Sequence, residues 1–389
     1  MNSPYSDYPV LIIGGSVNAL GILRNLGRNG IDAFYVSGSQ TVAIHSKYCK
    51  GYAIGPGIQD NIQKLDVFLR KFMEKMRTKI VVIPTGDEST LNFSLLKPKL
   101  KNYVSSVPQY DILKKLIVKN HFYQSLSESG IPHPVTIFPD LKLKNKNLAS
   151  EMSFPVFVKP SISPSFFKIF NCKGFIANSE NQLQHYLHLI NQYGIEVVIQ
   201  EIIPGPISNY YSIDGYFDYS SNPKALFARQ TLRKPSNFDN SSACVSLPLD
   251  EVTDMCNAVV RYLKLIKYHG IFHAEFKLDP RDNIGKLIEI NARSWWFNSF
   301  PSFCGINIIL LSYLEAIGEK IPSIRDYKTG MKFIWLLRDL HVLRRNFQNK
   351  MFTLSSFVSS YLGKIHWILF AHDDVKPFVM DVFARITKT

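Results

Sequence analysis

Residues 9–14, PVLIIG, form an unbroken apolar run that ends in glycines, which predicts a buried strand. The segment ALGILRNLGRNG follows with helical spacing, and IDAFYVS returns to a strand pattern. This is a βαβ opening with small residues at the strand–helix turn. Residues 80–84, IVVIP, predict another buried strand running into TGDEST. A helix is expected over roughly 111–129, ending at Gly130; Pro132 and Pro134 then make a stiff connector and a domain boundary. Beyond it, FPVFVKP (154–160) reads as a strand and 161–174 as a Ser/Pro/Phe-rich loop. The stretch KGFIANSENQLQHYLHLINQYG reads as a strand, an N-cap at Ser179 and an amphipathic helix. Strands follow at EVVIQEIIPG, YYSIDGYFD and ALFARQTLRKP. Residues 270–293 alternate as two apolar strands around a polar hairpin turn. After about Gly318 the chain is more helical, aromatic and basic, as in WLLRDLHVLRRNF. No repeat of fixed period and no low-complexity segment interrupts the pattern.

Composition narrows the classes. The 389 residues suffice for two or three domains, and 46% hydrophobic with 13% aromatic residues indicates filled cores. The start, MNSPYSDYPVLIIGG, lacks the basic region of a signal peptide, and the late apolar run HWILFAH is too short to span a bilayer. Cys49, Cys172, Cys244, Cys256 and Cys304 are scattered and without CxxC spacing, which argues for reduced thiols in the cytoplasm and against zinc. A net charge of +14 favours anionic partners. The lysines (97, 99 and 101, then 142, 144 and 146) are spread without an RNA-binding signature. No specific nucleic-acid partner is therefore expected, and attraction to an anionic membrane surface stays open.

Several positions carry chemistry. The glycines Gly14, Gly15 and Gly21 do not match a dinucleotide fingerprint, and no acid ends the second strand to hold a ribose. The helix start could still take an anion such as a carboxylate. Asp87 and Glu88 either belong to a helix cap, formed by Thr85 or Asp87, or contact substrate at the carboxyl edge of a parallel sheet. Lys159 stands alone in an apolar strand, and a buried lysine needs an anion. The strand ending Gln200-Glu201-Ile202-Ile203 could present backbone groups and a carboxylate to an adenine and its ribose. Glu289 and Asn291 are two apart and share a strand face, with Glu275 placed to lie across from them. Such oxygen groups suit a magnesium ion bridging phosphates; buried carboxylates there would be costly without a cation. The alternative is a solvated face or a set of ion pairs. Arg293 continues the face and could meet a phosphate. His273 could serve as a base or simply pack within its strand.

In this order and spacing, FPVFVKP, IQEIIPG and LIEINAR resemble the ATP-grasp superfamily, in particular its carboxylate–amine ligase-like proteins, over roughly 9–320. The resemblance implies an α/β fold (α+β ATP-grasp): a Rossmann-like domain at 1–115, a two-subdomain nucleotide clamp at 116–320 and a helical extension at 321–389. It implies ATP and Mg2+ as cofactors. Lys159 and Lys119 match basic residues near the phosphates; Gln200, Glu201, Ile202 and Ile203 match the adenine hinge. Glu275, Glu289 and Asn291 match the metal ligands. Arg293, Arg229 and Arg233 match basic residues near the transferred phosphate. The loop after Lys159 lacks the glycines of many members' phosphate lid, so Lys168, Lys173 or Ser165 would serve there. Asn209 stands where a ribose carboxylate is usual, and Ala292 where proline is frequent. The implied activity is ATP-dependent joining of a small carboxylate to an amine, amino acids among the candidates, through an acyl phosphate. Homodimers are common among such ligases. The alternatives are an ATP-binding regulatory or complex subunit, a Rossmann oxidoreductase and a nucleic-acid-binding protein.

Overall fold

The computed structural model describes residues 7–76, 78–139, 152–236, 239–348 and 358–386. Lys142, Lys144, Lys146 and the side chain of Ser165 lie outside them. Three sheets organise the chain. The first is parallel, in the order β3-β2-β1-β4-β5, from Val10–Ile13 (β1), Ala33–Ser37 (β2), Cys49–Ile54 (β3), Ile80–Pro84 (β4) and Tyr103–Val104 (β5). Every residue of β1 and β4 is buried, as expected of central strands covered on both faces. β1 pairs with β2 on one side and β4 on the other. The chain therefore reverses its winding at β1, which opens a crevice at the carboxyl ends of β1 and β4.

Helix α1 (Val17–Gly27) is buried along its whole length from Val17 to Leu26. Its outer side is covered by the helices Ser299–Cys304 and Ile308–Ala316. Gly21 is required there: a Cβ at that position would lie 2.1 Å from the Asn298 Oδ1. Asn298 in turn donates to the carbonyl of Asn18 and to its side chain at 2.9 and 2.8 Å. The amino end of α1 is thus held in an interface with the later domain.

The second sheet has four antiparallel strands in the order β6-β9-β7-β8: Thr136–Ile137 (β6), Val156–Pro160 (β7), Phe175–Ala177 (β8) and Val197–Glu201 (β9). The helix Glu180–Asn191 packs on it, with Ser179 accepting from the Gln182 amide as its N-cap. The third sheet runs β14-β13-β10-β11-β12-β15-β16. Its strands are Tyr210–Phe217 (β10), Pro223–Arg233 (β11), Ala243–Leu247 (β12), Gly270–Asp279 (β13), Ile284–Asn291 (β14), Lys332–Ile334 (β15) and Ile365–Trp367 (β16).

Three expectations are corrected. The helix expected over 111–129 is two helices, α4 (Tyr110–Ile117) and α5 (Lys119–Glu128), because Val118 adopts an extended conformation with ψ 111°. That break puts Lys119 at a helix start, where its backbone N–H donates to the Ser161 carbonyl at 3.1 Å. Residues 163–170 of the expected loop form a helix whose Phe166 and Phe170 pack against Phe175. The stretch after 320 is not purely helical. Its short strands β15 and β16 extend the third sheet past β12, and three-residue strands leave too little alternation to be read from sequence.

The end of the chain returns to the first domain. Arg24 and Asp374 form a buried ion pair at 2.9 Å, and Arg28 pairs with Asp373 at 2.7 Å. No described helix is long and apolar enough to cross a membrane. The five cysteines are free thiols.

Candidate functional site

The antiparallel register of the third sheet builds the site. Ser212 lies opposite Glu275, and Glu275 opposite Glu289, across β10, β13 and β14. One step along, Asp214 lies opposite His273 and His273 opposite Asn291. Directly paired residues share a face, and residues two apart on a strand share it as well. Glu275, Glu289, Asn291 and His273 therefore gather on one patch of sheet. The grouping expected for the three oxygen ligands is present, but one premise is corrected. Glu289 is exposed and the Glu275 side chain keeps 26% of its accessible surface, so neither carboxylate is buried without relief.

The Asn291 amide donates to Glu289 Oε1 at 3.0 Å, and its oxygen accepts from Arg293 at 2.9 Å. Arg293 also reaches across to the first domain and donates to Asp87 Oδ1 at 2.6 Å. Burial works against the Arg293 charge, yet the adjacent Asp87 raises its pKa. Asp87 is the first residue of helix α3 (Asp87–Leu96), whose cap is Gly86. Neither Thr85 nor Asp87 is the cap: Thr85 donates its hydroxyl to the Ile13 carbonyl. The Asp87 side chain keeps 41% of its surface.

Lys159 sits on β7, buried, with Nζ donating to Tyr123 Oη and Gln200 Oε1, each at 2.8 Å. The Tyr123 hydroxyl in turn donates to the Ile288 carbonyl, and Gln200 donates to Thr136 at 2.9 Å. These bonds couple the second sheet to β14. Burial pushes the Lys159 ammonium down to about 8. Lys119 is lowered as well, by burial and by Lys159 beside it, while Glu289 pulls it back. Lys159 of the second sheet and Lys119 at its helix start thus both lie in the field of the Glu289 carboxylate of the third sheet.

The expected basic residues on β11 have other partners. Arg229 is buried, donates to Asp214 Oδ2 at 3.2 Å and lies over the Phe297 ring at 4.3 Å. Arg233 is buried against Asp339 through bonds of 2.8 and 2.6 Å. Lys168 and Lys173 are exposed. At the end of β9, Glu201 accepts from the Val135 backbone at 2.9 Å and from Arg281 at 2.7 Å. Ile202 is half-buried; Ile203 is buried, and its carbonyl accepts Lys277 Nζ at 2.7 Å. Asn209 donates to the Leu278 carbonyl at 3.1 Å.

Sequence reasoning missed Lys234, Tyr123 and Asp214. Lys234 is buried 3.8 Å from the Tyr210 ring centre; burial lowers its pKa, while Glu275 and Glu289 raise it. Tyr123 was findable, since it lies four residues after Lys119 on one helix face. Asp214 carries the signal that exposed Lys159, a lone charge in an apolar strand. Lys234 gave no such signal because it follows the strand end.

Glu275, Glu289 and the Asn291 amide supply the hard oxygens that magnesium takes, so the residues fit. Among the described residues no three His, Cys, Asp or Glu side chains cluster as a metal site, so the third donor of this set is an amide and not an acid.

No protein-family model matches the chain. In sequence it is 26% identical to the D-aspartate ligase of Enterococcus faecium over 317 residues, 78% of this chain and 75% of that protein. In structure it is similar to the N5-carboxyaminoimidazole synthetase of Staphylococcus aureus complexed with ADP, with a TM-score of 0.65, 16% identity and coverage of 85% and 82% of the two chains. It is also similar to the L-amino acid ligase of Bacillus licheniformis, with a TM-score of 0.62, 15% identity and coverage of 81% and 75%. The shared architecture is the ATP-grasp fold.

Proposed function

We propose that this ATP-grasp chain is an ATP-dependent carboxylate–amine ligase. The observation that carries the reading is the pairing of Glu275 with Glu289 across β13 and β14, with the buried Lys159 and the half-buried Lys119 in the field of Glu289. A nucleoside triphosphate needs both halves: ammonium groups for its phosphate oxygens and carboxylates for the cation it carries. A magnesium ion held by Glu275, Glu289 and Asn291 would supply charge neutralisation at the phosphates. The similarity to a D-aspartate ligase supports an amino acid as the carboxylate partner.

The chemistry balances without a nucleophilic side chain. A carboxylate oxygen of the substrate attacks the γ-phosphorus, the bond to ADP breaks, and an acyl phosphate forms. The amine nitrogen then attacks the acyl carbon; the carbon–oxygen bond to phosphate breaks and the amine gives up a proton. Amide, ADP and phosphate result. Lys159 and Lys119 bind phosphate oxygens, Arg293 and Lys234 offset charge on the transferred group, and the walls of the clamp hold the reactants together.

The test is incubation with MgATP, hydroxylamine and pools of carboxylates, amino acids included. Formation of ADP and a hydroxamate is expected. AMP in place of ADP overturns the acyl-phosphate route. ATP bound but never cleaved favours a binding subunit without ligase activity.

A second expectation concerns Lys159. Its ammonium loses a proton near pH 8 because burial disfavours the charge, whereas a bound phosphate favours it. ADP affinity therefore falls as pH rises from 7 to 9. Lys159→Met weakens ADP binding by about ten- to a hundredfold, the worth of one hydrogen bond to a charged group. It also flattens that pH dependence. Titration calorimetry across the pH range checks both, and an unchanged affinity in the variant removes Lys159 from the nucleotide site.

A further inference from the structure

We propose that Asp214 and His273 form a positioning pair that fixes the Glu275 carboxylate as a one-oxygen ligand for the nucleotide's cation; the inference rests on the ATP-site reading above. The imidazole is held on three sides. Nδ1 lies 2.5 Å from Asp214 Oδ1, and Nε2 lies 3.0 Å from Glu275 Oε1. One ring face stacks on Trp295, with centres 5.6 Å apart and planes 18° from parallel. The strand register sets this arrangement, because Asp214 and His273 are direct partners across β10 and β13, and Glu275 follows two residues later on the same face.

Nδ1 faces Asp214 Oδ1 with an Arg229 nitrogen 3.5 Å away, and Nε2 faces Glu275 Oε1, so the ring bridges the two carboxylates. Asp214 is fully buried, and its second oxygen is taken by Arg229 at 3.2 Å. Arg229 is itself clamped over Phe297. The series Arg229–Asp214–His273–Glu275 is thus continuous and starts from a buried guanidinium packed on a ring. Its last bond engages Glu275 Oε1 and leaves Oε2 for the cation. Magnesium tolerates little departure from octahedral geometry, so a ligand whose rotation is arrested beforehand binds it better than a free one. The buried ammonium of Lys234 also attracts Glu275.

Two amides separate the roles of the two nitrogens. In His273→Asn the amide nitrogen stands near the place of Nδ1, which keeps the Asp214 bond and loses Glu275. In His273→Gln it stands near the place of Nε2, which keeps Glu275. The full-length protein, in excess over ADP and concentrated enough to bind nearly all of it, is titrated with Mn2+, free Mn2+ being read by electron paramagnetic resonance against an ADP-only control. ADP affinity without metal and the melting temperature are measured alongside. His273→Asn is expected to weaken Mn2+ by about tenfold or more, the usual cost of losing such an outer partner, with metal-free ADP affinity unchanged. His273→Gln recovers most of the loss. Asp214→Asn, which keeps the shape, gives a smaller loss and serves if His273→Asn does not fold.

Equal Mn2+ affinity in the wild type, His273→Asn and Asp214→Asn overturns the pair. So does an equal loss in His273→Asn and His273→Gln that tracks only their stability. Failure of the wild type to bind Mn2+ with ADP overturns the ATP-site reading itself, and the pair with it.

Discussion

Replacing Glu289 by Gln lowers ATP turnover by about a hundred- to a thousandfold, the scale of losing one preorganised charge at a phosphoryl-transfer site, while the fold survives. Glu289 is exposed on β14, and the hydrogen bond it accepts from the Asn291 amide has a counterpart in glutamine. An exposed isosteric change of this kind alters stability by about 0.5 kcal/mol or less. What disappears is the negative charge that faces Glu275 across the strands and is felt by Lys119, Lys159 and Lys234. Coupled-enzyme detection of ADP with a melting curve on the same preparation measures both quantities. Full turnover in the folded variant would remove Glu289 from the metal site.

Asp339→Ala has the opposite signature, a large loss of stability. Asp339 is fully buried and accepts four hydrogen bonds: two from Arg233, one from Ser242 at 2.7 Å and one from Tyr361 at 2.6 Å. Those donors come from the end of β11, the residue before β12 and the segment after residue 358, so one carboxylate ties the last part of the chain to the site sheet. Alanine leaves the Arg233 guanidinium buried and unpaired, next in sequence to the buried Lys234. Breaking a buried pair on one side costs about 3–5 kcal/mol. A drop in the urea midpoint is expected. The double change Arg233→Met with Asp339→Leu recovers most of it, because no charge is then stranded. An unchanged midpoint for Asp339→Ala shows that the last segment is held by other contacts, chiefly the Arg24–Asp374 pair.

Much of the site was legible because its signals are local. A carboxylate and an amide two residues apart on a strand share a face whatever the rest of the chain does, and Lys159 is conspicuous in an apolar run. Arg229 and Arg233 were equally conspicuous, yet their partners are not local. His273 meets Asp214 across 59 residues, Arg233 meets Asp339 across 106, and Arg293 meets Asp87 across 206. An arginine reads the same in sequence whether it awaits a phosphate or closes a buried pair.

The sequence by itself determined the buried strands β1 and β4, the βαβ opening, the hairpin that puts Glu275, Glu289 and Asn291 on one face, and the order along the chain of Lys159, Glu201 and those carboxylates. Each is written in side-chain periodicity and residue type within a short window. Only the tertiary structure decided that α1 is sealed in an interface, that Asp87 turns to Arg293, that the end of the chain docks on Arg24, and that Asp214 and His273 stand behind Glu275. These are choices of partner, and a partner is set by which strands pair, and in which register, once long loops have closed.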